Sequence, residues 1–414
     1  MTPRKKLDVF LRSRKVGELT GNGLKLAFQY DPEIVSEYGA GSILLSLSMP
    51  LSRRKFEGPV VYDFFDGLLP EGQVRSHLAK ENGLSTPDAF GLLRVLGADC
   101  AGAVQVLRPG ESPEVPGAAI PMTDDEVTTV VESLPTWDLP NDFLVTASLG
   151  GIHSKVLLTR QGEGWAWPGR GAASTHIIKP APLESAIPDL LASEDWALKV
   201  AAATGLTAAK SRLQIFGSRE AIIVDRFDRA SDGSRIHQED FTQALALGSG
   251  AKYEGTSTPP SRLTRLANAA ALHTRDDAAF RRALLRAVTF NVAIGNGDAH
   301  SKNYSLTLLD GGELRLAPLY DVAPTLLLYA PSNNAGHTVG GQIRLGYITL
   351  EHLVREGAAW GMDKEDARQT AVSALEALGS AASTSQPPER LEFLRKLVPA
   401  RVEDLLIGGT ARRQ

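Results

Sequence analysis

Asn296-Gly-Asp298-Ala-His-Ser-Lys-Asn303, followed downstream by Leu319-Tyr320-Asp321-Val322, is the stretch that decides the reading of this chain. Asp298 and Asn303 are five residues apart, and Asp321 comes 23 positions after Asp298. Between them Asp310-Gly-Gly312 has the composition of a hairpin loop, so the chain leaves one acidic loop, turns and returns with a second carboxylate. Asn-Gly-Asp is also a common turn and carries no chemistry by itself. A calcium loop is excluded, because the twelfth position counted from Asn296 or Asp298 is Thr307 or Leu309, where a bidentate Glu is required.

Protein kinases place an Asp five residues before an Asn in the catalytic loop and a second Asp after a short hairpin. The first Asp accepts the proton of the attacking hydroxyl; the Asn and the second Asp offer hard oxygen atoms to Mg2+ on the ATP phosphates. Asp298, Asn303 and Asp321 match those three roles. The helical periodicity of Leu284, Leu285, Val288 and Val292 predicts the element that delivers the loop.

Upstream, Thr175-His-Ile-Ile reads as a strand ending at Lys179, and a helix is expected to begin near Ser193 with Glu194 and Asp195. A strand lysine oriented by a helix carboxylate is what a kinase uses on the nucleotide phosphates, which makes Lys179 and Glu194 a candidate pair. Both residues also have ordinary readings, as a snorkelling lysine and a residue favoured by the helix dipole. Gly150-Gly151-Ile-His153-Ser154-Lys155 sits between two strand patterns; paired glycines let backbone amides approach phosphate, and Lys155 adds positive charge. It is no Walker A loop, which ends in Gly-Lys-Ser/Thr. Ala221-Ile-Ile-Val224, running into Asp225-Arg226-Phe227, suits either an adenine-bearing edge or a buried strand.

The 414 residues suffice for two or three domains with substantial cores, and 43% hydrophobic with 22% charged residues is ordinary for a globular protein. Cys100 is the only cysteine, so no intrachain disulfide forms and a reducing compartment is natural. No signal-peptide core follows the basic start and no apolar run nears about 18 residues, so a cytoplasmic location is expected. A net charge of -4 gives no global drive toward nucleic acid; DNA binding would need a local patch or a basic partner.

In order, alternation at Leu24, Leu26, Phe28 and Tyr30 and at Ile43, Leu45, Leu47 and Met49 predicts antiparallel strands. A helical pattern runs from Tyr62 through Leu78, and Ser85-Thr-Pro87 reads as the start of another helix ending near Gly97. Residues 1–108 are thus a small α+β subdomain. Residues 109–123 lie in a Pro- and Gly-rich linker, since Arg108 to Thr123 holds four prolines and two glycines. Residues 124–235 are strand-rich and 236–414 largely helical. The segment from Asp321 to Gly346 is expected as an activation-type loop, 350–406 as closing helices, and the last residues as frayed.

Further motifs run nearly the whole length: Val16-Gly-Glu-Leu-Thr20, Asp63-Phe-Phe-Asp-Gly-Leu-Leu-Pro-Glu71, Phe90-Gly-Leu-Leu93, Gly97-Ala-Asp-Cys-Ala-Gly-Ala103, Asp225-Arg-Phe-Asp-Arg229 and His237-Gln-Glu-Asp240. With Thr175–Lys179, Asp298–Asn303 and Tyr320–Val322, they resemble the HipA family, the serine/threonine kinase toxins of bacterial type II toxin-antitoxin systems. The resemblance implies an α+β, bilobal protein-kinase-like fold, with a strand-rich N-lobe, a helical C-lobe and a small N-terminal α+β subdomain.

It further implies Asp298 as catalytic base, Asn303 and Asp321 on Mg2+, and Lys179 on the ATP phosphates. Gly150, Gly151, His153, Ser154, Lys155, Val224, Asp225, Arg226, Phe227, His300, Lys302, Asn303, Tyr320 and Asp321 would complete the ATP contacts, those from Val224 to Phe227 through backbone. Ser148 matches the family's autophosphorylated serine, where a phosphate adds roughly -1.5 to -2 charges and favours ejection of the loop. Family substrates include aminoacyl-tRNA synthetases, and the usual partner is HipB, a dimeric helix-turn-helix antitoxin through which operator DNA is bound. The loop departs from the family, which typically has Gln-Glu before the lysine. Two alternatives follow: a regulatory subunit with weak or lost catalysis that helps an antitoxin repress its operon, and a small-molecule kinase.

Overall fold

The computed structural model describes residues 5–115, 119–136, 154–184, 187–255, 260–329 and 334–412. The chain groups into two compact units, Met1–Leu183 with Gln214–Ser249 and Thr307–Glu313, and Glu184–Leu213 with Gly250–Leu306 and Leu314–Gln414. The compact division therefore falls elsewhere than the linker at 109–123. The first unit nevertheless holds two separate apolar cores, and the second takes in Met122 and a strand, Ala119–Met122, from within the expected linker.

The first core lies on a five-stranded antiparallel sheet of β1 (Lys5–Leu11), β2 (Arg14–Asn22), β3 (Lys25–Tyr30), β4 (Phe56–Glu57) and β5 (Val104–Leu107), in the order β4-β3-β2-β1-β5. Helices Pro59–Gly67, Gly72–Glu81 and Ala89–Leu96 supply further apolar residues, with Ile34 and Val35 of helix Pro32–Tyr38 and Leu44, Leu45, Met49 and Leu51 beside them. Phe28 meets Tyr30 edge-on at 4.7 Å and Phe65 at 5.7 Å, ring geometries that add to plain burial. The helical pattern from Tyr62 is broken at Leu68–Glu71, beside Pro70, into two helices. The helix expected after Ser85 is capped instead by Asp88, which accepts from Gly91 N at 2.9 Å.

The alternation from Ile43 to Met49 does not make a strand, only an isolated bridge between Ser46 and Met49. Ile43, Leu44 and Leu45 are all buried, which a half-exposed strand forbids, and Ser46 and Leu47 are committed to a distant carboxylate, Glu239.

The second core lies on a six-stranded sheet of β6 (Ala119–Met122), β7 (Val156–Gln161), β8 (Gly164–Pro168), β9 (His176–Pro180), β10 (Ser211–Phe216) and β11 (Arg219–Asp225), ordered β10-β11-β9-β7-β8-β6. Register pairs Lys179 of β9 with Ile222 of β11. Helix Asp124–Ser133 covers the sheet, opened by the Thr123/Glu126 capping box.

The second unit is mainly helical. Helix Leu190–Ala203 begins before the expected start at Ser193, whose hydroxyl donates to Leu190 O at 2.7 Å inside the first turn. Helix Asp277–Ile294 starts at the Asp276 cap and stops at Gly295, whose φ of 89° is a left-handed C-cap. Helices Leu350–Ala359, Lys364–Thr384 and Leu394–Leu406 pack around it.

Two expectations fail here. The segment after Asp321 is built rather than loop-like, with helix Thr325–Leu328 and paired strands Asn334–Val339 and Gln342–Arg344. The last residues are not frayed through 412: Ala411 is buried, its N–H donates to Ile348 O at 2.9 Å, and the buried Arg401 donates to Ala411 O at 2.6 Å and to Arg412 O. A buried guanidinium needs acceptors, and the tail provides them.

Candidate active site

The Asp298 loop begins where Gly295 ends its helix. Buried Asn296 donates to Asn291 Oδ1 at 2.8 Å and accepts from Asp298 N at 3.1 Å, while Asn291 donates to the Tyr304 hydroxyl at 2.9 Å. Gly297 N donates to Thr325 Oγ1 at 2.9 Å. The loop closes on itself, with His300 N donating to Asp298 O and Asn303 N to His300 O, both at 2.8 Å. Asn303 also donates its Nδ2 to Asp298 O at 2.9 Å. The five-residue spacing therefore becomes one rigid turn.

Asn303 is buried, its amide nitrogen anchored on Asp298 O, and its amide oxygen is the atom of the side chain that can accept a cation. Asp321 is exposed and sits at a φ of 55°, a left-handed backbone that Asp tolerates better than most residues and that recurs at functional positions. Its neighbour Tyr320 ties the returning chain to the loop, donating to Lys302 O at 2.7 Å, with Ser305 Oγ at 2.6 Å. Burial pulls the His300 imidazole below its ordinary value, against Asp298 and Asp321, which both act on it along with Lys252. His300 Nε2 lies 3.9 Å from Asp298 Oδ1.

An oxygen pair from Asn303 and Asp321 suits Mg2+, which takes one or two protein oxygens and fills its shell with phosphate and water. Among the described residues no group of three or more His, Cys, Asp or Glu is arranged for a metal, and such a shared ion requires none.

The phosphate and adenine candidates lie in the first unit. Lys179 is half-buried at the end of β9. Ser154 and Lys155 are half-buried just before β7, whereas Ser148, Gly150, Gly151 and His153 fall outside the described residues. Val224 is buried at the end of β11, and Asp225 pairs with His176 at 3.2 Å. The Arg226 side chain is consumed internally, donating to Asp228 at 2.7 Å, Ser174 Oγ at 2.7 Å and Cys100 O at 2.9 Å. Its backbone is engaged as well, the N–H donating to Thr175 O at 2.9 Å and the carbonyl accepting from Arg229 N at 3.3 Å. Phe227 is half-buried beside it. Glu194 is buried on a helix of the second unit.

The sequence reading overlooked the residues that support the loop: Asn291, Tyr304 and Tyr253, whose hydroxyl donates to Asp298 Oδ1. Asn291 lies on the predicted helix, one turn before its end, where a buried amide is a signal that was available. Nothing local marks Tyr253.

Residues 147–382 match the model of the HipA-like C-terminal domain, and residues 7–107 that of the HipA N-terminal domain. The chain belongs to the HipA family. It is 33% identical over 358 residues to the putative kinase Y4mE of Sinorhizobium fredii, covering 83% of both chains. To the serine/threonine-protein kinase toxin HipA of Shewanella oneidensis it is 27% identical over 332 residues, 76% of this chain and 74% of the other. Its fold matches that in the complex of Shewanella oneidensis HipA, HipB and operator DNA with a TM-score of 0.79, at 24% identity over 97% of this chain and 98% of that one. The HipA family fold, protein-kinase-like with mixed helices and sheets, is therefore that of this chain. Among the described residues no helix is long and apolar enough to cross a membrane.

Proposed function

We propose that this HipA family member is an ATP- and Mg2+-dependent protein serine/threonine kinase toxin, which phosphorylates a translation-related protein such as an aminoacyl-tRNA synthetase and restrains itself by autophosphorylation at Ser148. The observation that carries the reading is the closed Asp298–Asn303 turn with Asp321 held beside it through Tyr320.

In this reading the Asp298 carboxylate accepts the proton of the acceptor hydroxyl as its oxygen bonds to the γ-phosphorus, and the bond from that phosphorus to the β,γ-bridging oxygen of ATP breaks. Asn303 and Asp321 would hold Mg2+, which when bound would neutralise charge on the phosphates. Lys179 adds a fixed positive charge, and backbone from Val224 to Phe227 orients the base. A HipB-like helix-turn-helix antitoxin is the partner, bringing operator DNA with it; the fold shared with the HipA of the Shewanella HipA–HipB–DNA complex supports that role. The net charge of -4 agrees with DNA contact made mainly through such a partner.

Incubation with Mg-ATP followed by intact mass and site mapping tests the reading. Phosphate on Ser148 in the wild type, and none in Asp298→Ala or Asp321→Asn, is expected. A wild type that neither binds ATP in calorimetry nor gains phosphate would move the assignment to a regulatory subunit of an antitoxin complex.

A further inference from the structure

Tyr253 is half exposed, and among the described residues its hydroxyl makes the one side-chain hydrogen bond to the Asp298 carboxylate. The ring stands edge-on to His300 at 4.9 Å, and His300 Nε2 lies 3.9 Å from Asp298 Oδ1. Asp298 itself is about half exposed. A half-exposed carboxylate whose one side-chain hydrogen bond is removed, with a histidine no nearer than 3.9 Å, is free to rotate about χ1 and χ2.

Tyr253 is held in place on both sides. Lys252 O accepts from Ser301 N at 3.0 Å, inside the catalytic loop. Glu254 N donates to Gly336 O at 2.9 Å, and the buried Glu254 carboxylate accepts from Arg262 N and Thr338 N, each at 2.9 Å. The Gly336 backbone in turn abuts Ala299. Residues 252–254 are thus stitched to the loop they serve, at the cost of a buried charge that serves no catalytic step.

We infer that Tyr253 is a positioning residue for the catalytic base: its hydroxyl engages Oδ1 of Asp298 and leaves Oδ2 to take the proton of the acceptor hydroxyl. The inference rests on the kinase reading and deepens it. General bases act within narrow geometric limits, so a freely rotating carboxylate spends most of its time misdirected.

The test compares wild type, Tyr253→Phe, Tyr253→Ala and Asp298→Ala at saturating Mg-ATP, with self-phosphorylation followed by intact mass and ATP affinity by calorimetry. Tyr253→Phe keeps the ring against His300 and removes only the hydroxyl. Loss of one hydrogen bond to a carboxylate predicts a rate roughly ten- to a hundred-fold lower, with ATP affinity and melting temperature unchanged and Tyr253→Ala no worse than Tyr253→Phe. A Phe variant as fast as wild type overturns the inference, as does a faster one, which would make the hydroxyl a competitor of the acceptor. A defect confined to Tyr253→Ala would assign the effect to ring packing and overturn it as well. The kinase reading fails separately, if Asp298→Ala labels itself as fast as the wild type.

Discussion

Glu239 is fully buried in the first unit, where its carboxylate accepts from Ser46 Oγ at 2.6 Å and Leu47 N at 2.8 Å. No cation partner is among those contacts, and burial, with Asp240 nearby, pushes its pKa up to about 8 despite the two hydrogen bonds. Two residues away, burial pulls His237 down to about 4, its Nε2 bonded to Leu45 O at 2.8 Å. The signs differ. A raised carboxyl binds its proton more tightly when folded, so its stabilisation is complete below about 4.5 and is lost as pH rises to about 8. The depressed histidine does the reverse, losing stability as pH falls from 6.5 toward 4. Between pH 6.5 and 8 Glu239 acts alone of the two, and the wild type should lose on the order of 2 kcal/mol across that window. Glu239→Gln removes the titration. Melting curves at the two pH values should show a fall of a few degrees for the wild type and little change for the variant; equal falls in both would reject the assignment.

Strand Asn334–Val339 decides how well the catalytic loop is supported. A Cβ at Gly336 would lie 2.2 Å from Ala299 O and 2.4 Å from His300 N, both backbone atoms that cannot move aside without moving the loop. Gly336→Ala should therefore cost about 1–3 kcal/mol in denaturant unfolding and also slow phosphoryl transfer, whereas Asp321→Asn should abolish transfer with stability nearly intact. A stable, fully active Gly336→Ala protein would show that the strand does not brace the loop. This element was illegible beforehand because Pro324, Pro331 and three glycines between Gly336 and Gly341 read as breakers, while its purpose, a close backbone approach to residues 299 and 300, is non-local. The loop itself was legible for the opposite reason: Asp298, Asn303 and the closing hydrogen bond span five residues. Thr123, followed by Asp124, Asp125 and Glu126, announced its helix start locally. Tyr253 could not be anticipated, being 45 residues from Asp298 and brought to it by a strand that the sequence hid.

At the scale of the molecule, the N-terminal region is bound into the first unit by groups whose charges face inward. Asp99 accepts from Arg229 at 2.7 Å, Arg235 at 2.5 Å and Ser174 Oγ at 2.6 Å, and the Arg226 guanidinium reaches Cys100 O at 2.9 Å. Burial works against the Asp99 charge, but the three arginines outweigh it and hold the carboxyl far below its usual range. Gly102 N adds a hydrogen bond to Asp228 at 2.6 Å, and Gln243 reaches Phe64 O at 3.0 Å. The two motifs Gly97–Ala103 and Asp225–Arg229 thus meet each other, and the second also begins where β11 delivers Val224 and Asp225. Removing residues 1–107 would strip Arg226, Arg229 and Arg235 of Asp99 and leave Glu239 without its donors. Arg226 and Arg229 would keep Asp228, at 2.7 and 3.1 Å, whereas Arg235 would lose its carboxylate and the apolar residues packed on the N-terminal region would be bared. A chain of residues 108–414 should accordingly be insoluble or molten when made alone, and should recover ATP binding when residues 1–107 are co-expressed as a separate polypeptide. Asp99→Ala in the full chain should weaken ATP binding and lower the melting temperature together, because Asp99 accepts from Ser174, next to β9, and lies 3.6 Å from Arg226, which follows β11 directly. If the truncated chain folds and binds ATP unaided, the buried ion network is dispensable, and the N-terminal region is an appendage rather than part of the strand framework.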